Sequence, residues 1–308
     1  MANCVVLGGN GFLGSSMVDE LAAQGHEVTA FDRFSAAEPA YRAAGVRAIT
    51  GDFLNEADLR DMLVGQDYLF HFLSTTTPAS AENDPSLDVR TNVSQTVRLL
   101  ELAVQAGVTK VYFASTGGAI YGDQDVPLIG EDSLPSPVSP YAIGKQAIEG
   151  YLRYFHRKHG LESVSFRISN PYGPRQHINK KQGVIPIFLH AVASGMPIEL
   201  FGDGSAVRDY IYAEDAARMM ARAVGRMTHH SVYNIGSGRG TSLNDLIGLV
   251  REVTGETLSV ERRPQPTTFV QRSVLDISRY HSEFGESDLI PLREGIELTW
   301  SASQGRQA

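Results

Sequence analysis

The segment that most restricts the fold of this chain is its first fourteen residues. Val5-Val6-Leu7 is an apolar run, Gly8-Gly9-Asn10-Gly11 follows at once, and Phe12-Leu13-Gly14 opens an amphipathic pattern. A strand that breaks on glycines straight into a helix leaves few architectures open. Glycines at 8, 11 and 14 permit a tight turn and let backbone amides approach a ligand closely. Those amides lie at the positive end of the helix, so the turn suits an anion such as a dinucleotide pyrophosphate.

The pattern continues as strand–helix alternation. Val5–Leu7, Val28–Phe31, Ala48–Thr50, Tyr68–Phe72, Val111–Ala114 and Ser163–Ile168 read as strands, separated by helix candidates at Phe12–Gln24, Ala57–Leu63, Leu87–Gln105 and Tyr141–His159. Gly25, Gly107 and Gly160 follow three of those helices, where a left-handed cap favours glycine. Such alternation with short loops implies parallel crossovers, hence an α/β doubly wound sheet. After about Asn170 the texture changes, with more proline, glycine and aromatic residues. Short strands are expected there at Ile198–Phe201, Tyr233–Ile235 and Leu258–Glu261. Helices are expected at Glu214–Val224, Leu243–Val253 and Ile296–Ser303, with Ser242 and Asp245 fitting a capping box. The expectation is a sheet domain over 1–170 and a smaller C-terminal α/β lid over 171–308, with some chain crossing between them.

Composition excludes several classes. Asp and Glu number 35 against 27 Lys and Arg, a net charge of −8 with no basic cluster, so nucleic acid is not an expected partner. The single cysteine, Cys4, sits in the first apolar run and allows no internal disulfide, which suits a reducing cytosol. No signal peptide is visible and no run approaches the ~18 apolar residues of a membrane span, so a cytoplasmic protein off the membrane is expected. The tandem His229-His230 has no companions at ligand spacing, so no metal site is expected.

Asp32 ends the second strand, 18 residues past Gly14. A carboxylate there accepts hydrogen bonds from both ribose hydroxyls of NAD and repels the 2′-phosphate of NADP. Arg33 beside it leaves NADP as the alternative. Asp52-Phe53 ends the third strand, where a polar group reaches an adenine, unless Asp52 only shapes the turn. Tyr141 and Lys145 stand at i and i+4, on one helical face. A nearby cation favours phenolate, so Lys145 is expected to draw Tyr141 down from its ordinary value near 10. Ser115 and Thr116 close the strand before this helix, at the end that faces the ligand crevice of such sheets.

These residues, in this order, closely resemble the extended short-chain dehydrogenase/reductase family and, within it, the sugar-nucleotide epimerases. The resemblance runs through His71-Phe72-Leu73, Asn92, Tyr121-Gly122-Asp123, Arg167-x-x-Asn170-Pro171-Tyr172-Gly173-Pro174, Val207-Arg208-Asp209-Tyr210-Ile211, Tyr233-Asn234-Ile235-Gly236 and Asp276-Ile277-Ser278. It implies a Rossmann-like sheet, bound NAD, a nucleotide-sugar substrate and a homodimer paired through the Tyr141 helix and the one before it. It implies Tyr141 as general base and acid, with Lys145 on the nicotinamide ribose. A hydroxyl at Thr116, with Ser115 beside it, would bond the reacting sugar. Phe12, Leu13, Phe72, Leu73, Ser74, Asn92 and Ser169 match cofactor-contacting positions.

For the substrate the resemblance implies Asn170 and Arg208 at the pyrophosphate, although Arg208 could instead pair with Asp209 or Asp215. The family's second phosphate arginine falls on Pro266, leaving Arg263 or Arg272 as its replacement. Ser273 falls beside the sugar's C2 substituent, where a small residue admits an N-acetyl group. Related dehydratases carry Asp-Glu after the hydroxyl residue, and this chain has Gly117-Gly118. The expected reaction is therefore inversion at one carbon, C4, through a 4-keto sugar. A 4-ketosugar reductase and a non-catalytic NAD-binding scaffold are the alternatives.

Overall fold

The computed structural model describes residues 1–35, 38–176, 183–266 and 268–304. In chain order the elements are β1 (Asn3–Leu7), α1 (Phe12–Ala23), β2 (Glu27–Asp32), β3 (Arg47–Thr50), α2 (Glu56–Leu63), β4 (Tyr68–His71), α3 (Pro78–Asn83), α4 (Pro85–Asp88), a π-helical turn (Val89–Ser94), α5 (Gln95–Ala106), β5 (Lys110–Thr116), α6 (Gly117–Ile120), α7 (Pro140–His159), β6 (Glu162–Ile168), β7 (Asn170–Tyr172), α8 (Val184–Ala193), β8 (Ile198–Phe201), β9 (Val207–Tyr212), α9 (Ala213–Ala221), β10 (Val232–Ile235), β11 (Gly240–Ser242), α10 (Leu243–Thr254), β12 (Val260–Arg263), β13 (Arg272–Ser273), α11 (Ser278–Phe284) and α12 (Leu292–Gln304).

Seven strands form a Rossmann-like sheet in the order β10-β6-β5-β4-β1-β2-β3. The β1–β2, β1–β4, β2–β3 and β4–β5 pairs are parallel. The order reverses at β1, so the ends of β1 and β4 open the crevice where such sheets bind ligands. Cys4 through Leu7 are fully buried, as expected of a central strand covered on both faces. On one face Val5, Leu7, Phe31, Leu69 and Phe113 pack with Leu99, Leu100 and Ala103 of α5 and with Ile148, Leu152 and Phe155 of α7.

Local signals account for the helix ends. Gly107 and Gly160 cap α5 and α7 at φ +79° and +72°, and α7 begins at Ser139, whose side chain accepts from the Ala142 amide. Ser242 caps α10 in the same way, through the Asp245 amide.

Contacts divide the chain into two compact units, each assembled from separated segments. One comprises Met1–Thr116, Ser139–Arg167 and Ala217–Tyr233; the other comprises Gly117–Val138, Ile168–Ala216 and Asn234–Ala308. In the second unit β9 pairs antiparallel with β11 and parallel with β13 and β7, while β8 and β12 form a separate parallel pair. Tyr172, Phe188, Leu200, Tyr212, Leu246 and Ile296 belong to its core.

Two expectations about elements need correction, and two elements were not expected. The helix expected over Leu87–Gln105 is interrupted by the π turn, where Thr91 bonds back to the Leu87 carbonyl at 2.8 Å and Asn92 is drawn inward. Helix α8 and strand β9 carry no periodic signal, because apolar residues occupy most of their positions. The strand expected at Leu258–Glu261 lies two residues later, in register with β8.

Candidate active site

The glycine turn is a cradle shaped by close approach. Gly8 has φ +85°, and its amide and that of Gly9 both donate to the Phe31 carbonyl, at 2.9 and 3.2 Å. A Cβ at Gly8 would stand 2.9 Å from the Leu73 amide nitrogen, and one at Gly14 would overlap the Gly8 carbonyl oxygen. Gly11 caps α1 with no side-chain acceptor, so no cap side chain satisfies the first amides of the helix. Asp32, half-buried at the end of β2, accepts from the Asn10 amide at 3.1 Å and the Arg33 amide at 2.8 Å, and Arg33 is exposed. A pyrophosphate fits this cradle and a ribose fits the carboxylate.

The other positions expected at the cofactor are more varied. Asp52 accepts from the Leu54 amide at 2.9 Å in its own turn. Phe53 is buried with its ring 5.5 Å from that of His71, and its carbonyl accepts from Gln95 Nε2 at 2.6 Å. The Phe72 amide donates to the Leu7 carbonyl, and Ser74 Oγ donates to the Thr76 carbonyl. Asn92 is buried: its Oδ1 accepts from Thr75, and its Nδ2 donates to Thr76 Oγ1 and Asp88 Oδ1.

Tyr141 and Lys145 lie on one face of α7, with Lys145 Nζ 5.7 Å from the phenol ring centroid. Nζ donates to the Ala114 carbonyl at 2.8 Å and lies 4.6 Å from the Phe113 ring centroid. Burial pulls Lys145 down to about 8, against the opposing charges of Asp88 and Glu149. Tyr141 corrects the expectation from spacing: burial, then the Asp88 charge, pushes its phenol up to about 12. The helical spacing revealed the cation but not the desolvation or the buried carboxylate. His71 is driven down to about 3 by burial and then by Lys145, so it is neutral, with Nε2 2.8 Å from Thr96 Oγ1. A cavity of about 10 Å³, room for about one water, is bordered by Tyr141, Lys145, His71, Asp88, Asn92, Ser74 and Gly144.

Ser115 and Thr116 differ in their surroundings. Ser115 Oγ donates to the buried Glu149 at 2.6 Å, and Glu149 also pairs with Arg167 at 2.7 Å. Adjacent strand residues face opposite ways, and Thr116 stays out of this network.

In the second unit Arg208 bonds the carbonyls of Val207, Gln271 and Val270, and its guanidinium carbon lies 5.2 Å from the Phe269 ring centroid. It forms no ion pair with Asp209, whose buried carboxylate accepts from Ser237, Gly238 and Leu275. Asn170 donates to the Asp209 carbonyl at 2.9 Å, and the Ser169 hydroxyl is buried without a partner. Arg272 is paired in register with Val207, and buried Ser273 with Arg208. Arg263 lies on exposed β12, paired with Glu199 and Glu261. Among the described residues no group of His, Cys, Asp or Glu could hold a metal ion, and no helix is long and apolar enough to cross a membrane.

The sequence profile of the NAD dependent epimerase/dehydratase family matches residues 4–236, from β1 to the glycine after β10. The chain belongs to that family. Its relatives include the UDP-glucose 4-epimerase of Mycolicibacterium smegmatis, 34% identical over 301 residues and covering 96% of each chain. A crystal structure of the Thermotoga maritima UDP-glucose 4-epimerase with UDP-glucose superposes at a TM-score of 0.92, with 34% identity over 99% of this chain and 100% of that one. The UDP-N-acetylglucosamine 4-epimerase of Methanobrevibacter ruminantium, in complex with UDP-N-acetylmuramic acid, does so at 0.87, with 28% identity over 98% and 99%.

Within this member of the epimerase/dehydratase family, sequence reasoning missed two buried carboxylates beside the Tyr141–Lys145 pair. Glu149 was detectable as the next residue, four on from Lys145, along the same helical face. Asp88 had no comparable signal, since it lies on α4, far from α7 in sequence, and meets Gly144 only in the fold.

Proposed function

We propose that this NAD-dependent enzyme inverts C4 of a UDP-linked hexose through a transient 4-keto sugar. The observation that carries the reading is the Tyr141–Lys145 pair beside β5, with Lys145 buried and Tyr141 half-buried, in a chain whose next two residues after Thr116 are glycines. Tyr141 takes the proton from the C4 hydroxyl and later returns it. Lys145, cationic and buried, favours the phenolate as that proton leaves and bonds the nicotinamide ribose. Thr116 orients the reacting hydroxyl, while Ser115 serves the Glu149–Arg167 pair. NAD, when bound, supplies acceptance of hydride from C4 and its return. Gly117 and Gly118 offer no acid or base to a neighbouring carbon, so dehydration has no catalyst here.

Backbone amides at Gly8 to Gly14 hold the NAD pyrophosphate and Asp32 holds its ribose, with Phe72, Leu73 and Ser74 along the dinucleotide. Asn170, Arg208 and Arg272 hold the UDP diphosphate. Ser273 leaves room for an acetamido group at C2, and relatives named for UDP-glucose and for UDP-N-acetylglucosamine bracket that choice. The exposed apolar residues Ile143, Tyr151 and Tyr154 of α7 support a homodimer through this helix. The test is incubation of the purified protein with UDP-glucose and with UDP-N-acetylglucosamine, with NMR detection of the C4 epimer. Formation of the epimer without added reductant, and release of NAD on denaturation, is expected. Failure with both sugars sinks the proposal.

A further inference from the structure

Gly144 lies inside α7, where glycine is less favourable than alanine, and its φ is not among the positive ones, so the backbone does not require it. What requires it is a side chain from elsewhere. A Cβ at 144 would overlap Asp88 Oδ2. Asp88 is 2% exposed, and its Oδ1 accepts from Thr76 Oγ1 and from Asn92 Nδ2. The carboxylate is thus clamped on one oxygen, and its second oxygen is aimed at the notch that Gly144 leaves between Tyr141 and Lys145. The cavity that borders the catalytic pair borders Asp88 as well.

We propose that Asp88 is a positioning residue for the catalytic pair, reaching through the Gly144 notch to hold Tyr141 and Lys145 in their phenol–ammonium form. This rests on the reading of that pair as the acid–base machinery. At these distances from bulk water a carboxylate acts strongly. Its charge favours the Lys145 ammonium against burial and opposes ionisation of Tyr141. The other groups facing the pair are accounted for. Glu149 of α7 is paired with Arg167 of β6, and His71 of β4 is neutral. Clamping by Thr76 and Asn92 ties the α4–π segment and the loop after β4 to the charge state of α7. The helical glycine, the π turn and the orientation of Asn92 then share one explanation.

The chain has five lysines, so Lys145 can be followed by NMR of 13Cε-labelled lysine, assigned by its loss in Lys145→Arg. In the NAD-saturated protein, Asp88→Asn should titrate Lys145 about one pH unit below the wild type. Both limbs of the kcat/KM–pH profile should move toward acid, with KM little changed. Gly144→Ala should lower Tm in the wild type and raise it in Asp88→Ala. An unmoved Lys145 titration in folded Asp88→Asn overturns the proposal. If Asp88→Asn does not fold, Asp88→Ala combined with Gly144→Ala, which fills the notch without the charge, must shift Lys145 in the same direction, and an unmoved titration there overturns it equally. A shifted titration in a protein that epimerises neither sugar would leave Asp88 its role and remove the functional reading. An unshifted one in an active epimerase would do the reverse.

Discussion

Burial works on both members of the Tyr141–Lys145 pair at once. It raises the phenol of Tyr141 and lowers the ammonium of Lys145, so each is pushed toward its neutral form. Tyr141→Phe keeps the ring and removes the transferable proton. Turnover should fall by ~10²-fold or more with the circular dichroism spectrum and Tm unchanged; retained turnover would remove Tyr141 from the mechanism. Lys145 carries a stability consequence of definite sign. Its folded value near 8 lies below the ordinary lysine value of 10.5, so the unfolded chain binds more protons between those values. The cost is therefore in full force below about pH 8 and fades as pH rises toward 10.5. Lys145→Met should raise stability at pH 7 by on the order of 1–3 kcal/mol while abolishing turnover, measured by thermal melts and epimer formation. Destabilisation would mean that the hydrogen bond to Ala114 outweighs desolvation. Ser273, buried in register with Arg208, is the exposed point of the specificity reading. Ser273→Tyr should reduce kcat/KM for UDP-N-acetylglucosamine ~10–200-fold more than for UDP-glucose. An unchanged ratio would show that Ser273 does not border the sugar.

At the scale of elements, the residues proposed to act cluster where a regular element breaks. The β1–α1 turn depends on Gly14, because any side chain there meets the Gly8 carbonyl. Gly14→Ala should weaken NAD binding at least ~10-fold, about 1.4 kcal/mol, as read by calorimetric titration of dinucleotide-free protein. Unaltered affinity would mean that the cradle tolerates a wider turn than its geometry implies. The same titration with NADP tests Asp32, and tighter NADP binding would hand that pocket to Arg33. The π turn between α4 and α5 is a second break. Asp88 just before it and Asn92 within it are bonded to each other and to Thr76 of the loop after β4, and Asp88 also reaches α7 at Gly144.

On the scale of the whole molecule, α7 carries the proposed acid–base pair on one face and an uncovered apolar surface on another. Ile143, Tyr151 and Tyr154 are 53%, 40% and 49% exposed, which is the basis for expecting a dimer. Sedimentation at micromolar concentration should give twice the 33.5 kDa chain mass, and Tyr151→Glu with Tyr154→Glu should give the monomer. A wild-type monomer would refute the expectation. Much of this molecule is local and hence present in the order of residues. The strand–glycine–helix start, the alternation that makes a parallel sheet, the caps at Gly107 and Gly160, and the i, i+4 placement of Tyr141 and Lys145 depend on neighbours within a few positions. Only the tertiary structure decided what surrounds them. Asp88 and Lys145 are far apart in sequence and meet because α4 packs on α7. The Ser115–Glu149–Arg167 network joins a strand, a helix and a further strand, and two of the three carbonyls that hold Arg208 belong to a segment more than sixty residues away. Residue spacing reports which side chains share a face, but desolvation and long-range charge depend on what the folded chain brings against that face, and they set Tyr141 above its ordinary value instead of below it.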